Sequence, residues 1–128
     1  MKTPQEMVID ALQDVGEISV NELSGLLDSH SPLHILDVRE PQEVEQGVIP
    51  KSAWIPRGML EFQINNLVEQ LGWNPNEPIY VYCRSGNRSA LAAKTLKEMG
   101  FSQPVSIAGG FTAWKDSGYP IAFRTLHF

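Results

Sequence analysis

Short apolar runs of strand length alternate along this chain with segments of helical period, and that alternation restricts the fold more than any other feature. The runs are His34-Ile35-Leu36-Asp37-Val38, Ala53-Trp54-Ile55, Ile79-Tyr80-Val81-Tyr82 and Val105-Ser106-Ile107. Around them the apolar period changes. Over Thr3 to Val15, with Pro4 in the first turn, Val8, Ala11, Leu12 and Val15 fall at i, i+3, i+4 and i+7. Gly16 reads as the stop of that helix. Ser19-Val20-Asn21-Glu22 has capping-box spacing ahead of Leu23, Leu26 and Leu27. Gln42 to Gln46 has room for one or two helical turns, and Gly58 to Leu71 reads as a longer amphipathic helix. Asn87 to Met99 is closed by Gly100, and Phe111 to Asp116 follows Gly109-Gly110. Strands alternating with helices predict an α/β fold, a central mainly parallel sheet flanked by helices on both faces. Binding sites in such sheets form beyond the carboxyl ends of the strands.

With 128 residues, the chain is expected to bury one core without disulfides or structural metals. Its formal net charge of −5 argues against a nucleic-acid partner. No run approaches the ~20 apolar residues of a membrane span, and the amino terminus has no apolar stretch of the signal-peptide kind. The single cysteine excludes an internal disulfide. A reducing cytoplasm is therefore the expected compartment. No cofactor is called for, and the oligomeric state stays open.

That cysteine, Cys83, directly follows the third apolar run. It opens Cys83-Arg84-Ser85-Gly86-Asn87-Arg88-Ser89, after which a helix begins. A strand, a short glycine-containing loop and a helix start aim consecutive backbone N–H groups at one spot, where the helix dipole also favours an anion. Two arginines add charge. This setting is expected to lower the thiol pKa from its usual ~8.5 and make Cys83 a nucleophile. The reading also requires a sulfur that solvent can reach. Arg84 has two readings, an anion contact or a surface cation. Arg88, at a helix start, calls for compensation by a bound anion or by a carboxylate from elsewhere. Arg57 follows a strand end and is either a pocket residue or surface charge.

Several segments together resemble the rhodanese family of sulfurtransferases. Asp37-Val38-Arg39-Glu40-Pro41 through Gly47-Val48-Ile49-Pro50 is similar to the family's upstream signature, with Val48 where histidine is often found. Cys83 to Arg88 resembles its six-residue active-site loop. Gly109-Gly110-Phe111-Thr112-Ala113-Trp114 with Gly118-Tyr119-Pro120 resembles its closing signature. The resemblance covers roughly Glu17 to Ile121. It implies a rhodanese-like domain over 17–128 after an amino-terminal helical extension over 1–16. It further implies that Cys83 carries a persulfide, taking sulfur from a small anionic donor such as thiosulfate and passing it to an external thiol or protein acceptor. Arg84, Ser85, Gly86, Asn87, Arg88 and Ser89 would bind the substrate, their backbone N–H groups cradling the outer sulfur. Asp37 and Arg39 would brace the loop from below.

Three rival readings bound this one. A cysteine phosphatase would need five residues between nucleophile and arginine, whereas four separate Cys83 from Arg88. A non-catalytic binding module of the same fold would have no need of the cysteine, and a sulfur carrier would accept its sulfur from a partner enzyme. A metal site is rejected. His30 and His34 have Pro32 between them, His127 is in the tail, and no cysteine pair or acidic cluster completes a shell.

Overall fold

Reciprocal caps start the first two helices. Thr3 accepts the Glu6 amide while the Glu6 carboxylate accepts the Thr3 amide, opening α1 (Pro4–Asp14) with proline in its first turn. Ser19 and Glu22 repeat the arrangement for α2 (Val20–Asp28). Between them lies β1 (Gly16–Ile18). Then come β2 (His34–Asp37), α3 (Pro41–Val44), β3 (Ala53–Trp54) and a 3-10 turn at Arg57–Met59. They are followed by α4 (Leu60–Leu71), β4 (Ile79–Tyr82), α5 (Asn87–Glu98), β5 (Pro104–Ile107) and α6 (Gly110–Asp116). This computed structural model describes residues 1–29 and 32–124.

All five strands run parallel, in the order β1-β5-β4-β2-β3. Alternate strand residues serve opposite faces. Leu36, Val38, Val81 and Cys83 pack with Leu60 and Ile64 of α4 and with Ala92, Ala93 and Leu96 of α5. Ile35, Tyr82 and Ile107 pack with Leu23 of α2 and with Phe111 and Trp114 of α6. Helices therefore cover both faces, as expected. Helix α1 lies on α5, where Ala11 is fully buried and Lys97 Nζ donates to the Asp14 carbonyl at 2.5 Å. Among the described residues, no helix is long and apolar enough to cross a membrane.

Strand β1 departs from the sequence reading, which saw in Gly16 only a helix stop. Its first two residues are exposed and Ile18 is half-buried, so no burial pattern marks it. It exists because β5 offers a parallel edge, extended by the Ala108 amide donating to the Ile18 carbonyl at 2.8 Å. Topology also places the site. From β2 the chain steps to one edge of the sheet, and from β4 towards the other. The carboxyl ends of β2 and β4 thus flank a switch point, where open α/β sheets form their binding crevices.

Candidate active site

Leaving β4 at that switch point, the chain passes through Cys83 and turns into α5 at Gly86. Gly86 has φ +106°, and a Cβ there would sit 3.3 Å from the Gly109 nitrogen. The turn points two amides at the sulfur. Gly86 N–H donates to Cys83 Sγ at 3.1 Å and Ser89 N–H at 3.4 Å. Ser89 is the third residue of α5, so its amide has no partner within the helix and is free for the sulfur.

Helix α6 docks on the same loop from the far side. Phe111 N–H donates to the Cys83 carbonyl at 2.8 Å and Thr112 N–H to the Arg84 carbonyl at 3.0 Å. This approach requires Gly110. A Cβ there would stand 2.3 Å from the Cys83 carbonyl oxygen, and its φ is +54°. With both carbonyls held by α6, the loop's later amides are left to turn towards the sulfur.

Below the loop, Asp37 and Arg39 are buried together, 0% and 2% exposed. Arg39 Nε and Nη2 donate to the Asp37 carboxylate at 2.8–3.1 Å, and Nη2 reaches the Gly47 carbonyl at 2.7 Å. The Arg39 guanidinium lies over the Phe111 ring, 4.2 Å from its centroid. Its Nη1 donates to the Glu43 carbonyl at 3.1 Å. Trp54, read from sequence as a core or rim aromatic, donates its indole N–H to the Arg39 carbonyl at 2.8 Å. The pair thus ties β2, α3 and β3 together beneath α6.

Arg88 reaches a carboxylate, the second of its two readings. Nη1 and Nη2 donate to Glu43 Oε1 and Oε2 at 2.7 and 2.8 Å. Those hydrogen bonds pull the Glu43 carboxyl down to about 2 from an ordinary 4.5, against the opposing effect of partial burial. The same partner raises the Arg88 guanidinium, and the charge of Cys83 adds to that rise. Arg84, Ser85 and Asn87 are exposed. Arg84 makes no hydrogen bond or ion pair with the described residues and lines an open cleft of about 570 Å³. Phe111, Thr112 and Lys115 of α6 share that cleft with Gln42 and Gln46. Arg57 is engaged away from the sulfur, with Glu61 at 3.0 Å and Thr95 at 3.2 Å.

One expectation is corrected. Cys83 is 0% exposed, not a sulfur open to solvent, because Sγ is turned inward onto the Gly86 and Ser89 amides. Three residues that matter here escaped the sequence reading as individuals: Glu43, Ser106 and Gly110. For Glu43 a signal existed, since the unpartnered charge of Arg88 called for a carboxylate. Ser106, whose Oγ lies 2.8 Å from Ser89 Oγ, gave none. His34 stacks on Trp73, with ring centroids 4.7 Å apart. His30 and His127, also weighed for a metal, lie outside the described residues.

Comparison with known proteins bears on this geometry. The model of the Rhodanese-like domain family matches residues 19–117. A Bacillus subtilis protein named provisionally as the sulfur carrier YrkF is 39% identical over 100 residues, 78% of this chain and 51% of its own length. This chain therefore spans about half of that relative. A sulfurtransferase of Allochromatium vinosum is 30% identical over 107 residues, 84% of this chain and 94% of that protein. A solved structure from Rhodopseudomonas palustris superposes with a TM-score of 0.86 at 35% identity, covering 95% of this chain and 96% of its own. It is described as a protein of unknown function and a candidate tyrosine phosphatase.

Proposed function

Since the chain belongs to the rhodanese-like domain family, we propose that it is a sulfurtransferase whose Cys83 carries sulfane sulfur from an anionic donor to a thiophilic acceptor. The observation that carries this reading is the pair of backbone amides aimed at Cys83 Sγ, at 3.1 and 3.4 Å. Donors fixed in that way stabilise an anionic sulfur without reorganising during reaction.

In the first half-reaction the Cys83 thiolate attacks the outer sulfur of a donor such as thiosulfate. A new S–S bond forms to Cys83, the donor's S–S bond breaks, and its electron pair leaves with sulfite. In the second, an acceptor attacks the terminal sulfur of the persulfide, and the electron pair returns to Cys83 as thiolate. Cyanide serves as acceptor in the test tube, a cellular thiol or protein thiol in the cytoplasm. No oxidant, reductant or cofactor enters either balance.

The amides of Asn87 and Arg88, unpaired by their place at the start of α5, hold the outer sulfur. Ser85 and Gly86 shape the loop around it. Arg84, an exposed cation with no partner among the described residues, meets the donor's charge. Arg88 contributes its field from its seat on Glu43, and the Asp37–Arg39 pair braces the loop. Because Cys83 is buried, a donor reaches it only when the loop that carries the exposed Ser85 and Asn87 gives way or Sγ turns outward.

A sulfur carrier, the role named for the Bacillus relative, differs only in taking its sulfur from a partner enzyme. A phosphatase, the role suggested for the Rhodopseudomonas neighbour, needs a loop one residue longer for a tetrahedral phosphate. Intact-protein mass after thiosulfate treatment tests the proposal. Wild type gains one sulfur atom, cyanide removes it with thiocyanate formed, and Cys83→Ser gains none. Hydrolysis of an aryl phosphate without sulfur uptake would overturn the reading. So would a sulfur that takes up no mass in the folded protein yet alkylates readily once unfolded.

A further inference from the structure

On the side of the sulfur facing the sheet, two serines form a closed pair of hydroxyls. Ser89 Oγ lies 3.5 Å from Cys83 Sγ, 3.1 Å from the Gly86 carbonyl oxygen and 2.8 Å from Ser106 Oγ. Both serines are fully buried. Ser106 stands on β5 in register with Val81 of β4, so it shares the α5 face of the sheet with Cys83. Among the described residues its hydroxyl has no polar partner besides Ser89.

Counting protons sets the direction of these bonds. If Ser89 donated to Ser106, the Ser106 proton would be left buried without an acceptor, the costly outcome for a hydroxyl. Ser106 therefore donates to Ser89, and the Ser89 proton is left for either the Gly86 carbonyl or the sulfur. While Cys83 is a thiol, S–H donates to Ser89 Oγ and Ser89 donates to Gly86. When Cys83 ionises, the Ser89 proton swings to the sulfur. The Gly86 carbonyl is not orphaned by that swing, because the Ala90 amide still donates to it at 3.3 Å.

We infer that Ser106 is a positioning residue that makes the Ser89 hydroxyl a donor to ionised Cys83, a third donor beside the two amides. The inference deepens the sulfurtransferase reading and rests on it for its purpose, although the relay can be read on the thiol alone. The charged groups on the elements around the sulfur are Arg84 of the loop, Arg88, Lys94, Lys97 and Glu98 of α5, Glu61 and Glu69 of α4 with Arg57 before them, Glu43 of α3 opposite Arg88 with Glu40 ahead of that helix, the Asp37–Arg39 pair, and Lys115 and Asp116 of α6. Side chains of these types keep their charge through the neutral range. His34, the described histidine, begins β2 at the opposite end of the sheet. The midpoint read is that of alkylation at Cys83 itself, and it is absent from Cys83→Ser.

The test is the pH profile of iodoacetamide alkylation of the folded protein, followed alongside the ultraviolet absorbance of the thiolate. Ser106→Ala moves the midpoint upward and slows alkylation about threefold below it, with rates converging once both proteins are ionised. Ser89→Ala slows it roughly tenfold, as expected for loss of a hydrogen bond to a charged group. The double variant behaves like Ser89→Ala alone, since Ser106 acts through Ser89. Ser106→Thr, which keeps the hydroxyl, restores the wild-type profile. An unmoved profile in Ser106→Ala, or additive losses in the double variant, overturns the relay. Sulfur uptake from thiosulfate is measured on the same samples. A profile that shifts as expected in a protein that takes up no sulfur overturns the sulfurtransferase reading and leaves the relay standing.

Discussion

Arg88's two hydrogen bonds hold the Glu43 carboxyl at about 2, well below its ordinary 4.5, and that displacement links the loop to pH. A carboxyl lowered on folding contributes stability that is complete above about 4.5 and drains away as pH falls towards about 2. The pair is partly open to solvent, with Glu43 23% and Arg88 36% exposed, so screening reduces its worth to about 1 kcal/mol. Glu43→Gln should lose that amount at neutral pH, read as a lower urea midpoint. Its gap from wild type should close as pH falls through the same window. A gap that stays constant with pH would mean that the carboxylate's charge is not what holds Arg88. The residue scale also shows what the chain's order conceals. Cys83 to Ser89 is contiguous, so its chemistry is legible from seven neighbouring letters. Glu43 meets the loop from 45 positions away and Ser106 from 17, and no local pattern announces either meeting.

Elements with strong local signals were legible for the same reason. The Ser19/Glu22 box starts α2 where its spacing says, Pro4 opens α1, and the stripe Val8, Ala11, Leu12, Val15 does turn inward. Strand β1 was not legible because its evidence lies in β5. Gly58 belongs to a 3-10 turn ahead of α4, because the chain must first bend out of β3 with the Arg57 amide still bonded to the Val38 carbonyl at 3.1 Å. Helix α1 carries a prediction of its own. It is fastened to α5 by the buried Ala11, by Lys97 on the Asp14 carbonyl and by Lys94 at 3.8 Å from the Asp14 carboxylate. Because α5 also presents the Ser89 amide to the sulfur, α1 buttresses the element that builds the site. Removing residues 1–14 should cost about 2 kcal/mol and lower the thermal midpoint by roughly 5–10 °C. An unchanged midpoint would show that the apolar stripe is not spent on the domain and is available to a partner.

At the scale of the whole molecule, two electrostatic effects would act with opposite sign on the anionic donor proposed for Cys83. The chain's formal charge of −5 repels it at a distance, while Arg84 and Lys115 attract it in the cleft beside the loop. Screening distinguishes them, since at 0.1 M salt the Debye length is about 10 Å and exposed charges act weakly beyond it. In wild type the short-range attraction should dominate, so kcat/KM for thiosulfate falls as salt rises. Arg84→Ala removes the exposed cation next to Cys83 and leaves the repulsion in place. KM for thiosulfate should then rise about fivefold, the effect of losing roughly 1 kcal/mol of charge interaction at a solvated site. The salt dependence should flatten or change sign, because added ions now mainly relieve repulsion. An uncharged sulfur donor should show neither change. Equal salt slopes in the two proteins, or equal losses with charged and uncharged donors, would mean that the donor meets its positive charge somewhere other than Arg84.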